Sequence, residues 1–173
     1  MRTFRVGAIG LLTGLAALPA GAERTETLFE FRNWVVKGVT TDDNTFVCNA
    51  TVTLSGDSFS IRPLLGQTVR LEFHSQDWEF GEGDTADIQV EVDRFPARDF
   101  VGATLLQSSV FVDLPDPTDG QSFLAEVAEG TRLILRSAAG TDVRTYSLFG
   151  SAAAIQQLVD CAALPVPDRN PFN

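Results

Sequence analysis

The sequence predicts a mainly β protein: an antiparallel sandwich or barrel-like fold with a short helix near 119–129 and a C-terminal helix near 151–161. Three observations lead there. Short runs alternate apolar and polar residues with period two, the mark of half-buried strands. Turn-forming clusters such as Ser55-Gly56-Asp57 separate those runs. The pattern changes to a helical period only in the two C-terminal segments.

In chain order, segment 28–37 (LFEFRNWVVK) is aromatic and β-branched and reads as one strand. A turn cluster at 40–44 (TTDDN) follows. In 45–54, Phe46, Cys48, Ala50, Val52 and Leu54 share an inward face, and the residues between them are mostly Thr and Asn. After the turn at Ser55-Gly56-Asp57, Phe59 and Ile61 begin another strand. Gly66-Gln67 leads into 68–75, where Val69, Leu71 and Phe73 point inward and Arg70, Glu72 and His74 outward. A loop at 81–84 precedes 87–93, with Ile88, Val90 and Val92 inward. Segment 104–114 reads as a further β run. Pro115-Asp116-Pro117 ends it, because proline offers no N–H to a ladder.

Over 119–129, Phe123, Leu124, Val127 and Ala128 lie on one helical face, with Asp119 as the expected N-cap and Gly130 as the stop. Segments 131–137 and 142–149 read as a hairpin across 138–141. Gly150-Ser151 opens the last helix, whose stripe is Ala154, Ile155, Leu158 and Cys161.

The N-terminus carries an export pattern. Arg2 and Arg5 precede an uncharged apolar run, Pro19 breaks it, and Ala20-Gly21-Ala22 gives the small-x-small cleavage pattern. The run is shorter than the roughly 20 residues that span a bilayer. The expected organisation is a signal peptide at 1–22, a single β-rich domain at 23–163, and an extended proline-rich tail at 164–173. The product would be periplasmic or secreted, without stable membrane insertion. Loss of Arg2 and Arg5 takes the formal charge from −10 to −12. Such acidity opposes nucleic acid and favours a cationic protein partner, if there is a partner.

In an exported chain, two cysteines read as a disulfide, Cys48–Cys161. Independent patterns turn both inward, one of period two and one of period 3.6. One histidine and two cysteines are too few for a zinc site, so neither a metal nor another cofactor is expected.

Catalytic patterns are missing. A Ser/His/Asp triad would have to use His74, and Ser75 beside it points to the opposite face. No Gly-x-Ser-x-Gly elbow occurs. Carboxylates gather in the loop 77–87 (DWEFGEGDTAD). There Asp77, Trp78, Glu79, Glu82, Asp84 and Asp87 offer a partner- or cation-binding surface. Its oxygens admit calcium by composition, without the spacing of an EF-hand loop. Trp34 reads as core, whereas Trp78 divides evenly between core and surface.

Segment 123–133 (FLAEVAEGTRL) feeds a short helix into a strand through glycine, and 146–155 (YSLFGSAAAI) forms a strand-to-helix corner. Together with Trp34-Val35-Val36 and Cys48, these resemble the invasion-associated locus B family of secreted proteobacterial proteins. The layout is also similar to that of a periplasmic accessory protein of type VI secretion systems. The resemblance implies a non-enzymatic exported β protein linked to the envelope or to host entry, and it transfers no catalytic residue. The alternative is an inhibitor of a cationic enzyme such as lysozyme, followed by a carboxylate-based hydrolase.

Overall fold

A computed structural model describes residues 24–41, 45–64 and 68–163. The expected signal peptide at 1–22, the tail at 164–173, most of the turn at 40–44 and the Gly66-Gln67 turn lie outside the described residues.

The chain is mainly β. Its strands are β1 (Arg24–Phe31), β2 (Trp34–Thr40), β3 (Phe46–Leu54), β4 (Asp57–Pro63), β5 (Val69–Ser75), β6 (Thr85–Val92), β7 (Arg98–Leu106), β8 (Ser109–Asp113), β9 (Arg132–Ser137) and β10 (Asp142–Ser147). Helix α1 (Pro117–Glu129) lies between β8 and β9, and α2 (Ser151–Ala162) follows β10. All strands join one antiparallel ten-stranded sheet in the order β1-β2-β3-β4-β5-β8-β7-β6-β9-β10.

The sheet folds over on itself but does not close into a barrel, since β1 and β10 remain edges. Tyr146 on β10 sets its ring 5.9 Å from both Phe59 on β4 and Phe73 on β5. Phe59 stacks on Phe73 at 5.2 Å, and Trp34 meets Phe59 edge-on at 6.3 Å. Offset and edge-on pairs of this kind add about 0.5–1.5 kcal/mol each beyond their buried area. Trp34, Phe59, Phe73 and Tyr146 are all fully buried and anchor the core between the two halves of the sheet.

Helix α2 packs over β1, β2 and β3 and against α1. It buries Ala154, Ile155, Leu158 and Cys161, the stripe expected from their spacing. Cys161 bonds Cys48 on β3 with a Cα separation of 6.1 Å, inside the usual range for a bridged pair. Among the described residues no helix is long and apolar enough to cross a membrane.

Several local expectations need correction. The run 28–37 is not one strand. Arg32 takes a left-handed φ of 59°, and the chain reverses there between β1 and β2. The run 104–114 also splits. It reverses at Gln107 (φ 55°), and β7 starts earlier, at Arg98. Neither turn carries glycine or proline, so ordinary side chains hold conformations that composition does not announce. Leu54 ends its strand 51% exposed instead of inward, beside the Ser55 turn.

The N-cap of α1 is Asp116, not Asp119. Its carboxylate accepts from Thr118 N at 2.8 Å and Asp119 N at 3.0 Å. Pro117 then sits at the start of the helix, where its missing N–H costs nothing. Gly130 ends α1 at an ordinary φ of −79°. Its lack of a side chain matters for space, because a Cβ there would lie 2.6 Å from Val92 and 2.8 Å from Leu148.

Candidate functional site

The loop from β5 to β6 is pinned down from both sides. Trp78 N donates to Ser75 O at 3.2 Å, and Phe80 N donates to Gln107 O at 2.7 Å. The Ser108 hydroxyl donates to the Trp78 carbonyl at 2.9 Å. The β7–β8 turn therefore grips the loop and lays the Trp78 and Phe80 rings over the sheet, their centroids 5.8 Å apart. Arg144 on β10 covers the outer side of Trp78, its guanidinium carbon 5.4 Å from the ring centroid.

Beneath these rings lies an apolar cavity of about 200 Å³. Ile88, Leu105, Val110, Leu135 and Val143 line it, one each from β6, β7, β8, β9 and β10. These strands are neighbours in the sheet, so the strand order brings the lining residues together. Val143 falls at a break in the β9–β10 register and stands at the rim, partly exposed. A concave, mostly apolar pocket with a few polar groups at its edge is the usual form of a binding site.

The loop that carries Trp78 and Phe80 also carries Glu79, Glu82 and Asp84, all exposed. Asp87 lines the cavity mouth and accepts from Gly102 N at 2.9 Å. Asp84 accepts from Gly81 N at 2.7 Å, which tightens the loop. Asp77 pairs with Arg144 at 3.1 Å, and Arg144 also reaches Asp57 at 3.0 Å. Arg136, the other cation at the rim, pairs with Glu91 and with Asp142. Its pKa is raised, first by the hydrogen bond to Glu91 and then by that to Asp142. Each rim arginine is thus already held between two carboxylates, while Glu79 and Glu82 have no ion pair among the described residues.

Of the residues singled out in the sequence, Trp78 and Asp87 reach the cavity itself. Asp77 is tied to Arg144, and Glu79, Glu82 and Asp84 are exposed on the same loop without lining the cavity. Trp78 is half-buried and spans the two roles left open for it. Sequence reasoning missed Phe80, Leu105, Leu135 and Val143. Alternation of Trp78, Glu79 and Phe80 was a signal for Phe80, whereas the other three meet only through the strand order. Among the described residues no group of three His, Cys, Asp or Glu side chains could hold a metal ion.

The outer row around His74 is a hydrogen-bonded chain. Ser109, 8% exposed, donates to Glu72 at 2.9 Å, and His74 Nδ1 lies 3.3 Å from the same hydroxyl. With the serine proton directed at Glu72, Nδ1 must be the donor to Ser109. A larger cavity of about 570 Å³ opens where the first half of β7 parts from β8. Of the charges lining it, Arg70 clamps Asp113 at 2.6 and 2.8 Å, Arg98 clamps Glu126, and Asp99 accepts from Gln89 at 2.8 Å. The hydrogen bond from Arg70 holds the Asp113 carboxyl below the usual range.

No family model matches the chain, and no curated protein matches it. Among solved structures, the fold is similar to the crystal structure of invasion associated protein B from Bartonella henselae. The TM-score is 0.56 at 15% identity, over 80% of this chain and 98% of that one. At that identity the likeness is one of fold.

Proposed function

We propose that this chain is an exported, non-enzymatic binding or accessory protein acting at the envelope or in host interaction, and that it binds through the cavity beneath Trp78. The observation that carries this reading is the apolar cavity itself, with Asp87 and Arg136 as the charged residues of its lining. The fold likeness to invasion associated protein B is consistent with an accessory role. The N-terminal signal pattern and the disulfide fit a chain that matures outside the cytoplasm.

Site-directed photo-crosslinking tests the reading in the full chain. Val143→benzoylphenylalanine places the reactive group at the cavity rim, and Lys37→benzoylphenylalanine places it on an exposed site of β2. A discrete protein adduct from position 143 alone is expected. Equal adducts from both positions, or none from 143, would refute the reading.

The exposed carboxylates of Glu79 and Glu82, which have no ion pair among the described residues, favour a second reading, inhibition of a cationic enzyme such as lysozyme. Unchanged lysozyme activity in the presence of excess protein at low salt would remove it.

A further inference from the structure

We infer that the gap between β7 and β8 receives an extended segment of a partner protein, which pairs along the free edge of β7 with apolar side chains toward the core and lysine or arginine toward solvent. This goes beyond the cavity beneath Trp78 and is tested separately from it. The two lie side by side: the Leu105–Val110 pair lines that cavity, and the next pair, Thr104–Phe111, is the last before the strands part.

The edge comes first. β7 pairs with β8 only through Thr104, Leu105 and Leu106, so residues 98–103 have no ladder partner on that side among the described residues. Their other side pairs with β6. β7 bulges there: Val101 and Gly102 together oppose Asp87, and Gly102 takes a left-handed φ of 68° while its N–H donates to the Asp87 carboxylate at 2.9 Å. At about 3.3 Å per residue the free stretch of β7 offers roughly 20 Å of backbone donors and acceptors. An unpaired edge of this kind is a template for an added strand. The space in front of it, about 570 Å³, falls within the range of binding clefts.

The gap is held open by ties that pull its two arms apart. On one arm, Arg98 bonds Glu126 and Ser122 and so fastens β7 to α1. On the other, the two bonds from Arg70 to Asp113 fasten β8 to β5. A guest strand therefore enters a preformed opening and separates no existing ladder.

The lining sets the guest's side chains. Phe100 stands opposite buried Ile88 and shares its inward face, and Val112 and Leu114 are themselves buried. Asp99 stands opposite Gln89 on the outward face. A strand lying in the same sheet alternates in the same way, so every second guest residue meets an apolar wall and the others emerge beside Asp99. Both arginines of the lining are held by carboxylates, whereas Asp99 and Asp119 line the gap without an ion pair among the described residues. The outward guest residues are therefore basic.

The test adds a capped Val-Lys-Val-Lys-Val-Lys peptide to the full chain and follows backbone amide exchange. Saturable protection within 98–103 is expected, with the indole N–H resonance of Trp78, which reports on the cavity, unmoved. Two further peptides carry N-methyl groups on the valine or on the lysine nitrogens. The one whose N–H groups toward β7 are removed should bind about tenfold more weakly or worse. Glutamate in place of lysine should weaken binding about threefold at low salt, with the difference closing at high salt and in Asp99→Asn.

No protection within 98–103, or undiminished binding of both methylated peptides, would overturn the added strand. A Trp78 shift without that protection would seat the peptide in the cavity, overturning this inference and leaving the cavity reading intact. Equal binding of the glutamate peptide by the unaltered protein would overturn the basic outward face.

Discussion

Breaking the Cys48–Cys161 bridge should cost this protein a large share of its stability. The bridge joins residues 113 apart in sequence. For a loop of that length, chain entropy alone constrains the unfolded state by about 5 kcal/mol at 25 °C. It also fastens α2, whose other anchors are Ala154, Ile155 and Leu158 in the core and the buried bond from the Ser151 hydroxyl to Val127 O at 2.6 Å. The perturbation is Cys48→Ala with Cys161→Ala, read by urea denaturation beside the unaltered protein with and without reductant. With a typical urea dependence of about 2 kcal/mol per molar, the midpoint should fall by roughly 2.5 M in both the variant and the reduced protein. Hydrogen exchange should show α2 losing protection first. A midpoint shift under about 0.5 M, with an unchanged urea dependence, would refute the reasoning. It would mean that the packing of α2, and not the bridge, holds the two ends of the domain together.

The Tyr146 hydroxyl is buried with no partner among the described residues. Tyr146→Phe should therefore be neutral or stabilising by about 1 kcal/mol in urea denaturation, and a loss of more than that would show that a hidden partner exists. Burial, reinforced by Asp57, also raises the Tyr146 pKa above its ordinary 10.0. Stability from this group is present below pH 10 and is lost as the pH rises above it, so Tyr146→Phe should blunt alkaline unfolding. Asp93 works in the opposite sense. Its carboxylate accepts from Thr131 N at 2.6 Å and Arg132 N at 3.1 Å, and these bonds, with the Thr131 N–H foremost, lower its pKa. The stability it lends is present above about pH 4 and is lost as the pH falls through its lowered value, so Asp93→Asn should flatten the acid limb of a stability–pH profile. Gly130→Ala should cost about 1–3 kcal/mol by thermal melting, since its Cβ would press on Val92 and Leu148; an unchanged melting temperature would show that these side chains move aside freely.

How much of this could be read in advance depended on whether one segment decided the matter alone. Val69, Leu71 and Phe73, or Ile88, Val90 and Val92, reveal their inward face by alternation, and the structure buries all six. Cys48 and Cys161 meet because each lay on an inward face set by its own element. The turns at Arg32 and Gln107 were passed over because Arg and Gln take the left-handed backbone and each has a single usual turn former, Asn33 or Ser108, completing the two-residue turn. Asp116 was passed over for Asp119 because Pro117 was read as the end of the preceding strand and not as the first helical residue, and the carboxylate geometry settles the cap on Asp116.

The candidate site was legible only in part. Its acidic loop and Trp78 stood out by composition. The cavity did not, because Leu105, Leu135 and Val143 are distant in sequence and come together through the β7-β6-β9-β10 order. An apolar residue in a strand signals burial; it does not signal that the space in front of it is empty.

The central claim is that partners are met through this cavity and not through another exposed apolar spot. Phe149, 62% exposed at the corner before α2, is the natural comparison. The measurement is the yield of the photo-crosslinked adduct from position 143 after Trp78→Ala or Phe149→Ala, in proteins shown to melt cooperatively. Loss of the adduct with Trp78→Ala and its retention with Phe149→Ala is the predicted result. Retention with Trp78→Ala would contradict the claim.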